Sequence, residues 1–165
     1  MPGWQLPQQL RIAAGSVTLR PATIEDLPAV VELLADDPIG ATRDGAAPDG
    51  LRPYLQAFRA IDADPGQLLL VAEADGVVVA TLQLSLLPGL ARRGMLRAQL
   101  EAIRVHSRYR GGGLGRAMIG WAIGQARRRG CGLVQLTSDK QRTEAHRFYA
   151  ELGFVASHEG FKLTL

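Results

Sequence analysis

The chain predicts an α/β fold: one mixed, mostly antiparallel sheet flanked by about four helices. Three observations carry this. Strand-length apolar segments alternate with amphipathic stretches of helical period along the 165 residues. Asp75-Gly76 lies between two apolar runs and supplies the positive φ values of a tight hairpin. Residues 103–117, IRVHSRYRGGGLGRA, pass from a Val/Ile-rich strand through a glycine run straight into a helical pattern.

The elements follow in order. Residues 1–15 read as a loosely ordered extension, with Trp4 and Leu6 able to pack onto the body, and residues 16–165 as one domain. Residues 17–20 alternate as a strand. Thr23 is an N-cap with Asp26 at the third helical position, and Leu27, Val30, Val31 and Leu34 form the buried stripe of the helix that follows. Asp36-Asp37-Pro38 breaks that helix, and a Gly/Pro/Asp-rich segment runs to Gly50. Residues 51–62 are a second helix with Leu51, Tyr54, Leu55, Phe58 and Ile61 on one face. Residues 67–73 and 77–87 are the hairpin strands, 88–94 a polar loop, and 95–105 the strand entering the glycine run. The main helix spans 113–129 and a strand 133–137. A short helix then carries Ala145, Phe148 and Leu152, and Gly153 stands where a helix-terminating glycine belongs. Residues 154–155 and 161–165 are expected to close the sheet as strands.

Composition excludes several classes. At 47% hydrophobic and 21% charged, the chain has the balance of a globular domain. No apolar run approaches the ~18 residues of a membrane span, and no charged segment followed by an apolar core marks a secretory signal. The lone Cys131 excludes an internal disulfide and fits a cytoplasmic protein. His106, His146 and His158 are far apart, so no metal site is expected. Charge is divided: residues 1–90 hold 5 Lys/Arg and 11 Asp/Glu, and residues 91–165 hold 14 and 5. A basic half admits a nucleic-acid-binding module as a rival. Aromatics at 5% and the absence of helix-turn-helix, zinc-ligand or ribonucleoprotein patterns argue against it.

The glycine run is an anion cradle. Small residues let successive N–H groups converge, and a helix N-terminus adds partial positive charge, with Arg110 and Arg116 alongside. It is not a P-loop, because Arg116-Ala117 replaces the Lys-Ser/Thr that must close one. It is not a dinucleotide fingerprint: Met118 or Arg116 occupies the third glycine position, and Gln135 replaces the downstream acid. The pattern Arg-x-x-Gly-x-Gly/Ala, met by Arg110, Gly113 and Gly115, resembles the acetyl-CoA pyrophosphate loop of the GNAT N-acetyltransferases. The later segment Ala-His-Arg-Phe-Tyr-Ala-Glu-Leu-Gly-Phe, residues 145–154, is similar to that family's Ala-x-x-x-Tyr-x-x-x-Gly-Phe.

That resemblance covers residues 16–165 and implies an acetyl-CoA-dependent N-acetyltransferase acting on an amine acceptor by direct transfer, with acetyl-CoA as co-substrate and no metal. It implies that Ile103, Arg104 and Val105 offer backbone to the pantetheine arm. Arg110, Gly111, Gly112, Gly113, Leu114, Gly115 and Arg116 would hold the pyrophosphate, and Tyr149 would protonate the leaving thiolate. The basic half suits the coenzyme phosphates. The acidic half borders the acceptor pocket in such folds and would attract a cationic amine; acidic helices also serve solubility alone. Glu101 is the candidate base, or else a carboxylate that orients substrate or pairs with Arg97 or Arg104. Strict alternation puts Gln99, Glu101, Ile103 and Val105 on one face unless a bulge intervenes. His158 is a second candidate base. Arg142 stands where many members carry asparagine, and it either reaches a coenzyme phosphate or is solvated. A non-catalytic coenzyme A sensor is the alternative, and a homodimer is a candidate assembly.

Overall fold

A computed structural model of the chain describes residues 3–13, 15–36, 40–42, 44 and 50–165. Most of the Gly/Pro/Asp-rich segment after Asp36 lies outside these, and so does most of the acidic loop expected to border an acceptor pocket.

Six strands form one sheet in chain order: β1 (Gln8–Ile12), β2 (Gly15–Pro21), β3 (Gln67–Ala74), β4 (Val77–Leu87), β5 (Arg97–Val105) and β6 (Leu133–Leu136). Each neighbouring pair is antiparallel except β5 and β6, which are parallel. The helices are α1 (Leu27–Ala35), α2 (Arg52–Ala63), a short turn α3 (Ala91–Gly94), α4 (Leu114–Arg128) and α5 (Thr143–Glu151).

Alternation along the strands builds two cores. Leu70, Leu82, Leu84 and Leu100 point to one face and are closed over by Leu114, Met118, Ile119 and Trp121 of α4. Leu69 and Val71 point to the other face and meet Leu27 and Val30 of α1 and Phe58 of α2. Each fully buried Leu or Met contributes roughly 1.5–3 kcal/mol over its exposed state. α4 starts on Gly113 in the left-handed conformation, φ 85°. It ends on Gly130, φ 74°, where Cys131 N–H donates to the Ala126 carbonyl at 3.0 Å. A glycine at each end sets its length.

The entry to α1 is pinned electrostatically. Thr23 N–H donates to Asp26 Oδ2 at 2.7 Å, the expected capping box. Arg20 then grips both Asp26 oxygens, at 2.6 and 2.9 Å, and reaches Glu73 at 2.8 Å. The Arg20 hydrogen bond holds the Asp26 carboxyl below its usual range, against the opposing effect of burial.

Two expectations are corrected. Residues 8–12 are not loose: they form β1, paired with β2 from Gln8↔Leu19 to Ile12↔Gly15, and Trp4 stacks on the Arg129 guanidinium at 3.6 Å. The run Gln-Gln-Leu-Arg-Ile has only two apolar positions, too weak an alternation to announce a strand. At the other end, residues 154–155 and 161–165 form no strand, and residues 155–165 are exposed throughout. Their apolar alternation is real, yet no edge of this sheet receives it.

Asp26→Asn leaves the Arg20 guanidinium without its main counter-charge. It should lower stability to urea by about 2 kcal/mol at neutral pH. A carboxyl with a lowered folded pKa stabilises above its unfolded pKa and stops doing so as pH falls through the folded one. The gap between wild type and variant should therefore close in strong acid; a gap independent of pH would remove the pair from this role.

Candidate active site

The site is organised by an irregularity in β5. Ala102 adopts φ 51°, a left-handed value that costs an alanine about 1–2 kcal/mol. Across β4, Gln83 faces Glu101 while Thr81 faces Arg104, so β5 carries an extra residue at the bulge. The register flip corrects the simple alternation. Glu101 and Arg104 share the α1/α2 face, and Ile103 and Val105 turn to the α4 core.

The bulge coincides with a parting of strands. β5 and β6 pair only from Arg97↔Leu133 to Leu100↔Leu136. Residues 101–105 run on toward the glycine loop without β6 beside them. Their backbone forms an edge where the two strands part, suited to a ligand laid along it like a strand.

At the head of that edge stands the glycine loop. Gly111 and Gly113 have φ 74° and 85°, so the chain reverses tightly into α4. The first N–H groups of α4 have no partner within the helix and point out of its N-terminus. A Cβ on Gly115 would meet Phe148 Cζ at 3.6 Å and Val105 Cγ2 at 3.7 Å, which places α5 directly against the loop. Arg116 reaches Glu151 at 3.1 Å. Arg110 is exposed and folds back along the surface: it donates to the Val105 carbonyl at 2.9 Å and to Asp36 Oδ2 at 2.8 Å. Its guanidinium ties the loop to the end of α1.

Tyr149 lies half-buried on α5, between the rings of Phe148 and Phe154 at 5.5 and 6.0 Å. Burial pushes its phenol above the usual tyrosine range, while Arg104 and Arg142 pull the other way. The tyrosine therefore sits in the field of a β5 residue and of the residue that opens its own helix. Arg142 is half-buried, and its backbone N–H donates to the Asp139 carbonyl at 3.0 Å. His158 is exposed in the C-terminal tail, away from the strands, with its Nδ1 2.8 Å from Ser157 Oγ.

Glu101 is exposed and belongs to a polar row that sequence reading did not assemble. Gln83 and Ser85 of β4 both donate to Gln67 Oε1 of β3, at 3.0 and 3.1 Å. Gln135 of β6 donates to Gln99 Oε1 of β5 at 2.7 Å. Register puts Gln67, Gln83, Ser85, Gln99, Glu101 and Gln135 on the face shared with α1 and α2. The signal was present as Gln83-x-Ser85 and Gln99-x-Glu101, polar residues at period two inside apolar strands. Joining them required the pairing register.

The model of the acetyltransferase (GNAT) family matches residues 27–154. The chain belongs to that family. Its members use acetyl-CoA, and the protein is an acyltransferase. An aminoalkylphosphonate N-acetyltransferase of Salmonella typhimurium is 29% identical over 147 residues, 89% of this chain and 90% of that one. A glucosamine 6-phosphate N-acetyltransferase of Trypanosoma brucei brucei is 33% identical over 54% of this chain and 59% of its own length. Among solved structures, a transcriptional regulator from Bacillus halodurans C-125 superposes with a TM-score of 0.85 at 44% identity, covering 90% of this chain and 99% of its own.

Ala102→Gly removes the cost of the left-handed bulge without disturbing its register. It should raise stability by about 0.5–1 kcal/mol in denaturant titration. A loss of stability would mean that the methyl group, not the backbone, holds this position.

Proposed function

We propose that the protein transfers an acetyl group from acetyl-CoA directly to the primary amine of a small polar acceptor, and that the cleft between β5 and β6 is where it does so. The observation that carries this is the coincidence in one place of three features. These are a β5 edge freed from β6 beyond Leu100, a helix N-terminus behind two left-handed glycines, and a half-buried tyrosine alongside.

The coenzyme supplies a thioester carbonyl and a thiolate leaving group. Backbone N–H groups of residues 103–105 would pair with the pantetheine arm and polarise that carbonyl, stabilising the oxyanion formed on attack. N–H groups of Gly111–Arg116 would hold the pyrophosphate, because fixed dipoles converge there. Only a neutral amine is nucleophilic, so a proton must leave the acceptor. Glu101 would take it, directly or through one water. Tyr149 would return a proton to the departing thiolate. A phenol raised above its usual range stays protonated through neutral pH, the form a general acid needs.

The amide row beside Glu101 supports an acceptor class. Gln83, Ser85, Gln99 and Gln135 offer neutral donors and acceptors, which suit hydroxyl or phosphoryl oxygens better than an apolar or polycationic chain. Two relatives act by name on amines carrying a phosphonate or phosphate group, which supports the same class. The Bacillus halodurans protein is named a transcriptional regulator, which supports a second reading, a regulatory rather than a catalytic role.

Thiol release from acetyl-CoA should be measured against aminoalkylphosphonates, amino-sugar phosphates, polyamines and peptide N-termini. Turnover is expected with the first two groups. Tight coenzyme binding with no turnover on any amine would favour the sensor.

Tyr149→Phe should lower kcat at least about tenfold and leave the KM for acetyl-CoA little changed. In the wild type, rate should fall on the alkaline side only above the ordinary tyrosine range, as the phenol loses its proton. The variant should lack that limb, and retention of it would assign the proton to another group.

A further inference from the structure

The bulge at Ala102 does more than reset the register of β5. In a regular strand, residues three apart point to opposite faces. Glu101 faces Gln83 and Arg104 faces Thr81, so the extra residue brings a carboxylate and a guanidinium to one face. Their partners on β4 are two residues apart, which sets the Cα atoms of Glu101 and Arg104 about 7 Å from one another along the sheet.

Arg104 is the cation placed beside Glu101. Arg20, on the same face of β2, is held by Asp26 and Glu73 at 2.6 and 2.8 Å. Arg97 stands at the opposite end of β5, facing Leu87. Arg104 is half-buried, and its Nη1 donates to the Ile103 carbonyl at 2.9 Å, which folds the side chain back beside the bulge. Its charge is felt by Tyr149 on α5. α1 lies against β4 and β5 on this face, and its end is fixed by the bond from Arg110 to Asp36 at 2.8 Å.

A small acceptor seated on this face meets opposite charges at its two ends. The amine goes to the carboxylate, and whatever lies at the other end meets the guanidinium. A guanidinium presents its N–H donors in a planar fork that matches the paired oxygens of a phosphonate, sulfonate or carboxylate. A second ammonium would be repelled there. The neighbouring Gln83, Ser85 and Gln99 carry no charge, so Arg104 sets the sign that the acceptor's far end must have.

We propose that Arg104 determines acceptor specificity by holding an oxyanion, so that the preferred substrate is a small zwitterion with its amine at Glu101 and its anion at Arg104. The proposal rests on the acceptor reading above, which puts the amine at Glu101, and adds the group that recognises the other end of the molecule.

The test compares 2-aminoethylphosphonate with its diethyl ester, which keeps the amine and the chain but has no charge at phosphorus. Wild type should prefer the phosphonate. Arg104→Gln should lower the ratio of the two kcat/KM values at least about tenfold, as loss of a charge-assisted bond does. The ratio cancels any effect of the substitution on coenzyme binding or on the amount of folded enzyme. A ratio that the substitution leaves unchanged, or a wild type that prefers the ester, would overturn the assignment. Taurine and β-alanine carry a sulfonate and a carboxylate on the same chain. If either outruns the phosphonate and loses as much in Arg104→Gln, the site stands and its anion is named. Calorimetric titration of the coenzyme A-loaded protein separates this proposal from the catalytic one. Binding of 2-aminoethylphosphonate that weakens at least about tenfold in Arg104→Gln, with no amine turned over, would keep the anion site and refute the transfer reaction. No binding of any of the three zwitterions to wild type would refute the anion site, whatever amine the enzyme acetylates.

Discussion

The positive φ of Ala102 is the constraint on which the site turns. A bulge in the middle of a nine-residue strand does three things together. It ends the pairing of β5 with β6 at Leu100, it sends Ile103 and Val105 into the α4 core, and it keeps Glu101 and Arg104 on the opposite face. A regular strand would turn Arg104, with its charge, toward the layer that holds Leu114 and Met118. The strain is held because the residues on both sides of it are fixed: Leu100 is buried before it, and Arg110 clamps the Val105 carbonyl after it. Strain held by its surroundings in this way is typical of backbone at functional sites.

The two sides of the cleft are built from different materials. The side assigned to the donor is largely backbone: freed strand edge, left-handed glycines and a helix N-terminus. The side assigned to the acceptor is side chains: a carboxylate, and amides bonded in two sets, β3 to β4 and β5 to β6. Amides held by neighbours at 2.7–3.1 Å lose little further freedom when a ligand arrives. Arg110 belongs to neither class. Its bonds to Asp36 and Val105 make it a brace between α1 and the loop, and a coenzyme phosphate would have to compete with that carboxylate for it.

Much of this was legible in the chain because it rests on local chemistry. Thr23 and Asp26 announce α1, Asp75-Gly76 the hairpin, and Gly153 the end of α5. The glycine loop and the tyrosine helix are contiguous motifs, so their residues can be named from order alone. What was not legible depends on pairing. The amide row joins residues as far apart as Gln67 and Gln135, and only register puts them on one face. The flip at Ala102 leaves no mark in composition, since alanine is a poor advertisement for a left-handed backbone. β1 was missed because its alternation is nearly all polar. The tail was misjudged for the opposite reason: its alternation is strong, but pattern says only that a strand wants a core, not whose.

That distinction bears on how the cleft is closed. A six-stranded sheet with four antiparallel pairings and one parallel one is well knit at the β3–β4–β5 centre, where Leu70, Leu82, Leu84 and Leu100 are essentially inaccessible. It thins toward β6, the shortest strand, with no residue fully buried. The residues proposed to react lie between that strong centre and that weak margin. Tyr149 and Arg142 are carried on the margin, while Glu101 and the bulge are carried on the centre. The distance across the cleft therefore depends on how firmly β6 and α5 are held, and within one copy they are held mainly by the short β5–β6 ladder and the packing of Phe148 on Gly115 and Val105. Anything that holds β6 and α5 more firmly would stiffen the wall bearing the proposed proton donor and leave the wall bearing the proposed base unchanged.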